Sequence, residues 1–237
     1  MIKIYGALNS RASRNVWLAL ELGLQFEHVP VIQASRIRNP NAHDAPLNTE
    51  SPEFRQINPA GTIPVLEDGG LILQESLAIN LHLARSSRHN ALAPLDTTED
   101  ALLTMWTLWA ATECEPHGVT IIVNRAIRLP QDQDETALAN AILGLDVPFK
   151  RLAKALVDGN GHLVGGRFTV ADLNVAEVLR YAQSAVELFE RHQIVSDWLS
   201  RCQSRSSFIE MTARRDAETL PDNWRSAYLP QKMRAIK

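Results

Sequence analysis

One segment narrows the possible folds more than any other. It is Asn58-Pro59-Ala60-Gly61-Thr62-Ile63-Pro64-Val65-Leu66-Glu67-Asp68-Gly69-Gly70, followed at once by Leu71-Ile72-Leu73-Gln74-Glu75-Ser76-Leu77-Ala78-Ile79. It reads as a turn, a proline at the mouth of a strand, a tight hairpin, a second strand and a polar pair opening a helix. A proline cannot donate to a β-ladder, so Pro64 belongs at the first residue of its strand or at a bulge. A cis Ile63–Pro64 bond would turn the Ile63 backbone outward and leave its N–H and C=O to a ligand. Asp68-Gly69 between two apolar runs signals a hairpin. Glu75-Ser76 then sets a carboxylate and a hydroxyl where the next helix exposes unpaired N–H groups, a cradle for a carboxylate. A free peptide edge beside an anion cradle suits a small peptide-like ligand.

Two further segments extend the pattern. Ile2-Lys3-Ile4-Tyr5-Gly6 reads as a first strand, and Leu8-Asn9-Ser10-Arg11-Ala12-Ser13-Arg14-Asn15-Val16 as the loop entering a first helix. In the C-terminal half, Phe168-Thr169-Val170-Ala171-Asp172-Leu173 carries Thr169 and Asp172 at capping-box spacing. Both residues read as structural. In this order and at these separations, the three segments resemble the cytosolic glutathione S-transferases, and among them the serine-type, theta-like and bacterial members.

The resemblance implies a thioredoxin-like, glutathione-binding domain over 1–85, a linker over 86–96, and an all-helical domain with a C-terminal tail over 97–237. It also assigns roles. Ser10 would donate its hydroxyl to the glutathione sulfur, with Asn9 and Arg11 as rival donors and simple helix capping as the competing role of Ser10. The Ile63 backbone beside Pro64, with Thr62, would pair with the cysteinyl unit. Glu75 and Ser76 would hold the γ-glutamyl amine and carboxylate. Thr62 stands where some relatives carry Lys, so the glycyl carboxylate would need another cation, such as Arg55 or His43. The electrophile pocket of this family lies between the domains, and Leu8, Trp109, Glu113 and His117 are the candidates to line it. Trp106 and Trp109 read equally as helical core, and His117 as a surface residue. The expected reaction is conjugation of glutathione, the co-substrate, to a small apolar electrophile by a homodimer. The alternatives are a non-catalytic glutathione-binding or interaction module, or a glutathione-dependent dehalogenase or isomerase. The β1–α1 loop has no cysteine, which argues against a mixed-disulfide chemistry.

Charge excludes other classes. The balance of 24 basic and 27 acidic residues gives a net charge of −3 without long blocks of either sign. Neither nucleic acid nor an anionic membrane is the expected partner. No apolar run reaches a membrane span. Cys114 and Cys202 match no metal-ligand spacing, so no metal is expected. The absence of a basic-then-apolar leader points to a cytoplasmic protein.

Periodicity organises the rest. A first helix is predicted over about Ser13 to Leu22, capped by Gly23, and a second strand over Phe26 to Ile32. Gln33 to Glu50 reads as a long loop, either a cover over the site or a solvated insertion. Ser51-Pro52 signals a helix start. Beyond the linker, Thr97 and Asp100 look like a capping box opening a helix that Pro116 should kink or break. Leu138 to Leu156 reads as one helix kinked at Pro148 and ended by Gly159-Asn160-Gly161. Thr169 to about Leu188 is expected as a central buried helix, with a shorter one around Asp197 to Cys202. From Ala217 only Trp224 and Tyr228 interrupt a polar tail.

Overall fold

The computed structural model describes residues 1–87 and 91–219. Linker residues 88–90 and the tail from residue 220, with Trp224 and Tyr228, lie outside the described residues. The described residues form two compact units, 1–87 with 205–219, and 91–204.

The first unit contains β1 (Ile2–Tyr5), α1 (Ala12–Glu21), β2 (Phe26–Val29), α2 (Pro52–Ile57), β3 (Val65–Asp68), β4 (Leu71–Gln74) and α3 (Ser76–Ser86). Its four-stranded sheet runs in the order β2-β1-β3-β4. β1 is parallel to β2 and antiparallel to β3, which is antiparallel to β4. This is the thioredoxin-like arrangement. The α1 end is sealed by Gly23 N–H to Leu20 O at 3.1 Å and Leu24 N–H to Ala19 O at 2.9 Å, a Schellman pairing. The hairpin turn sits one residue later than Asp68-Gly69 suggests. Asp68 still pairs with Leu71, and Gly69-Gly70 (φ 57° and 92°) make the turn, because both central residues need positive φ. One face of the sheet buries Tyr5, Val31, Phe54 and Val65, with Ile63 and Leu47 packed against them.

The 33–50 segment is tied down at its end. Ile32 pairs with Asn48 in an isolated parallel bridge, and buried Asn48 donates Nδ2 to Pro40 O and Pro46 O at 3.0 and 2.9 Å. An internal polar anchor of this kind is unlike a solvated insertion.

The second unit is all helical: α4 (Thr97–Trp109), α5 (Glu115–Ile122), α6 (Glu135–Gly144), α7 (Asp146–Asp158), α8 (Val170–Leu179), α9 (Val186–Arg191) and α10 (Gln193–Gln203). The start of α4 is one residue earlier than the Thr97/Asp100 pair suggests. Asp96 is the cap, accepting the Glu99 N–H at 2.8 Å, while Glu99 Oε2 accepts the Leu95 N–H. Pro116 does not break the helix. Ala110–Cys114 forms a π turn with Glu115 N–H bonded to Ala110 O, and the extra residue removes the carbonyl that the proline ring would strike. The helix expected over Leu138–Leu156 is instead two, because Pro148 falls in the first turn of α7.

α8 is buried along its whole length. Its capping box forms as expected, and Asp172 does more than cap. Its oxygens accept from Thr169 N and Oγ1, Leu163 N and Trp198 Nε1 at 3.0 to 3.2 Å. Burial pushes its carboxyl up, and these donors oppose that shift. The helical run ends at Leu179, earlier than Leu188, where a 3-10 turn Arg180–Ala182 intervenes.

Arg167 staples residues before α4 to the loop before α8. It donates to Glu99 Oε1 and Oε2 at 2.8 and 2.6 Å, and to Ala91 O and Ala93 O. The guanidinium lowers the Glu99 carboxyl to about 2. A depressed carboxylate stabilises the fold above its ordinary pKa of 4.5 and loses that contribution as pH falls toward about 2. After solvent screening we expect about 1 kcal/mol from this pair. Unfolding free energies from urea titrations at pH 6 and pH 3 should therefore differ by up to about that much more in the wild type than in Glu99→Gln. Equal differences would contradict the assignment.

The last described helix, α11 (Ser206–Ala217), departs from the boundary drawn at 97–237 by packing within the first unit. Trp17 stacks edge-on against Phe208 at 5.0 Å and donates to Ser207 Oγ. Glu21 pairs with Arg205 and Ser207. Ser207, Phe208, Met211 and Thr212 form one helical face against α1, which Trp17 anchors.

Candidate glutathione site in the first unit

Three segments leave or enter the sheet at the same end of its strands, after Tyr5, before Val65 and after Gln74. After β1, Gly6 and Ala7 continue the pairing through N–H bonds to Val29 O and Val31 O at 3.0 and 2.9 Å. Gly6 (φ 138°) is the close-approach point. A Cβ there would stand 2.9 Å from Ala12 Cβ and 3.3 Å from Ile63 Cβ, so only glycine lets the β1–α1 loop lie against the start of β3. His28 Nε2 meets Gly6 O at 2.7 Å from the neighbouring strand.

Ser10 occupies the last turn before α1. Its hydroxyl donates to Ala7 O at 2.7 Å and accepts the Ala12 N–H at 3.1 Å. Ser10 thus satisfies the first N–H of α1 from the residue before the N-cap, Arg11. Ser13 is fully buried and donates to Ser10 O, leaving it no access to a ligand. Half-buried Asn9 has no side-chain hydrogen bond among the described residues, and Arg11 is exposed. Tyr5 is not a competitor. Its hydroxyl donates to Glu67 at 2.7 Å, and burial with that carboxylate raises its pKa to about 12.

The Ile63–Pro64 bond is cis. Ile63 packs its side chain into the apolar cluster, yet its N–H and C=O enter no hydrogen bond among the described residues. Exposed Thr62 is held by Asn58 Nδ2, which reaches its carbonyl at 2.8 Å and its hydroxyl at 3.2 Å. Glu75, exposed, has φ 68° and ψ 107°, a conformation costing a non-glycine residue roughly 1–3 kcal/mol. It makes no side-chain cap, so α3 begins with open N–H groups.

Beneath that helix start lies a buried polar network that the sequence did not reveal. Arg14 Nη1 donates to Ser76 Oγ at 3.2 Å, and Asn15 Nδ2 donates to Ser76 O and Asn80 Oδ1, both at 2.7 Å. Arg14, Asn15 and Asn80 are each fully buried and Ser76 nearly so. The guanidinium adds positive charge under the N-terminal end of α3, the right sign for an anion. The signal available was Arg14-Asn15 inside an otherwise apolar helix, which asks for polar partners.

The remaining candidates sit elsewhere. Arg55 is exposed and donates to Pro59 O at 2.6 Å, and His43 is exposed in the 33–50 loop. Leu8 is buried in the first unit. In the helical unit, Trp109 packs edge-on against Trp106 at 5.0 Å, with Arg151 over both rings. His117 rests against Gly144, and Glu113 is exposed on the π turn. Trp109 and His117 thus have packing partners of their own.

Comparisons with known proteins give the family. The model of the glutathione S-transferase N-terminal domain matches residues 4–90, and that of the C-terminal domain matches residues 115–206. A glutathione S-transferase-like protein LUC7 from Fusarium sp is 36% identical over 140 residues, 57% of this chain and 62% of its own length. Glutathione S-transferase F7 of Arabidopsis thaliana is 29% identical over 87% of this chain and 96% of its own. Glutathione S-transferase I from mais, solved with an atrazine glutathione conjugate, shares the fold at a TM-score of 0.76 and 24% identity, over 92% of this chain and 99% of its own. Family models that follow one another along three quarters of the sequence, over a sheet and helical unit of the matching architecture, settle the lineage: the chain belongs to the glutathione S-transferase family and is a glutathione transferase.

Proposed function

We propose that this transferase binds glutathione along the Ile63–Glu75–Ser76 edge, ionises its thiol at Ser10, and conjugates it to a small apolar electrophile as a cytoplasmic homodimer of the serine type. The observation that carries this reading is the convergence in one unit of a hydroxyl-bearing loop, an unbonded peptide edge at Ile63 and an open helix start at Glu75-Ser76. The peptide edge matches the cysteinyl unit, and the helix start with Arg14 behind it matches the γ-glutamyl carboxylate. Glu75, beside it, would take the amine. A thiol of pKa about 8.5 becomes nucleophilic only as thiolate. Ser10 donating to sulfur favours that form, and the N-terminal end of α1 favours it further.

Conjugation of glutathione to an activated aryl chloride tests the reading. Glu75→Gln should raise the KM for glutathione about tenfold, as loss of one partly exposed charge pair of roughly 1.4 kcal/mol, with kcat nearly unchanged. An unchanged KM would remove Glu75 from the site.

A further inference from the structure

Glu218, the cap residue of α11, sets its carboxylate against the β1–α1 loop. Both its oxygens accept the Leu8 N–H, at 3.0 and 2.9 Å. Leu8 is buried, and no backbone carbonyl among the described residues receives its N–H. A negative charge at a helix C-terminus opposes the helix dipole. Of the two arginines one turn earlier, Arg214 pairs with Glu210 and Arg215 with Asp216. The contact with Leu8 is what accounts for the carboxylate's place.

The bonded N–H belongs to a particular peptide. The amide that joins Ala7 to Leu8 presents its N–H to Glu218 and its C=O to Ser10, which bonds it through its own N–H at 3.0 Å and its hydroxyl at 2.7 Å. One rigid plane therefore connects the C-terminal carboxylate to the hydroxyl assigned to the sulfur. Ser10 holds the carbonyl side of that plane, and Glu218 the N–H side. α11 supplies the constraint on the N–H side. It is anchored at its other end by Glu21 with Arg205 and by Trp17 with Ser207.

We propose that Glu218 is a positioning residue: by holding the Ala7–Leu8 peptide, whose C=O accepts the Ser10 N–H, it fixes the place of Ser10, from which the hydroxyl turns to bound glutathione. The inference rests on Ser10 being the thiol donor. It makes the C-terminal helix part of the thiol-activating apparatus of the first unit, although it lies some two hundred residues away in sequence.

The test is the pKa of glutathione's thiol in the complex, read from thiolate absorbance, in wild type, Glu218→Ala, Glu218→Gln, Ser10→Ala and Ser10→Ala/Glu218→Ala. Glu218→Ala should raise the bound-thiol pKa by about half a unit, lowering kcat/KM near pH 6.5 roughly threefold. Glu218→Gln keeps an acceptor for Leu8 N–H and should restore the wild-type value. In the Ser10→Ala background Glu218→Ala should add nothing. An unchanged pKa in Glu218→Ala overturns the proposal, as does an equal shift with and without the Ser10 hydroxyl, which would mean a through-space charge effect. A fall in the electrophile's KM with no pKa change would overturn it in favour of a steric gate. If Ser10→Ala itself leaves the pKa unmoved, the donor assignment fails first, and the inference with it. Leu8 amide exchange in the ligand-free protein reads the contact separately: protection lost in Glu218→Ala and kept in Glu218→Gln is expected, and protection kept in both also overturns it.

Discussion

Ser10→Ala should raise the pKa of the bound glutathione thiol by about one unit and lower kcat/KM near pH 6.5 about tenfold. The size follows from an exchange of hydrogen bonds. The Ser10 hydroxyl donates to Ala7 O. To serve the sulfur it must leave that carbonyl, giving up roughly 1 kcal/mol for a charge-assisted bond of about 1.5–3 kcal/mol. The net gain is about one pKa unit. The substitution also removes the acceptor for the Ala12 N–H, so stability should drop by about 1 kcal/mol. Thiolate absorbance on folded protein separates the two effects. Were the pKa unmoved in Ser10→Ala but raised in Asn9→Ala, the amide of Asn9 would be the donor.

The largest effect on stability is expected at Asp172. Asp172→Ala leaves four donors, the Thr169 N–H and hydroxyl, the Leu163 N–H and the Trp198 indole N–H, without their acceptor inside the helical unit. Each buried unsatisfied donor costs about 1–3 kcal/mol, and water entering the vacated space recovers part of it. A net loss of about 4 kcal/mol is expected, enough to unfold a marginal protein at physiological temperature. Asp172→Asn keeps one acceptor oxygen but turns an amide toward the Thr169 N–H, and should lose about 2 kcal/mol. Urea denaturation of both variants measures this. A loss below about 1 kcal/mol for Asp172→Ala would mean that the cap is peripheral to the fold.

What was readable in the sequence was what the backbone itself enforces. Pro64 at a strand mouth, glycines needed at the hairpin, the Gly23 helix end and the Thr169/Asp172 box each restrict the chain locally, and each appears in the structure. What was not readable depends on partners distant in sequence. The π turn at Ala110–Cys114, just before Pro116, is a local adjustment that a proline alone does not announce. Ser207, Phe208, Met211 and Thr212 have the spacing of an amphipathic helix, yet nothing in the spacing says that α1 is their partner. Of the candidate site residues, Ile63, Pro64, Glu75 and Ser76 stood out through turn and helix-start chemistry, and Ser10 through the family resemblance. Arg14, Asn15 and Asn80 could not be read as a group, because their partners lie across α1 and α3, more than sixty residues apart in sequence.

The most direct test of the account is a pH titration of the wild-type complex with glutathione, followed by thiolate absorbance. The account requires a bound-thiol pKa at least one unit below the roughly 8.5 of an ordinary thiol. A complex that forms but titrates at the free value would contradict it, since binding would then occur without the ionisation assigned to Ser10.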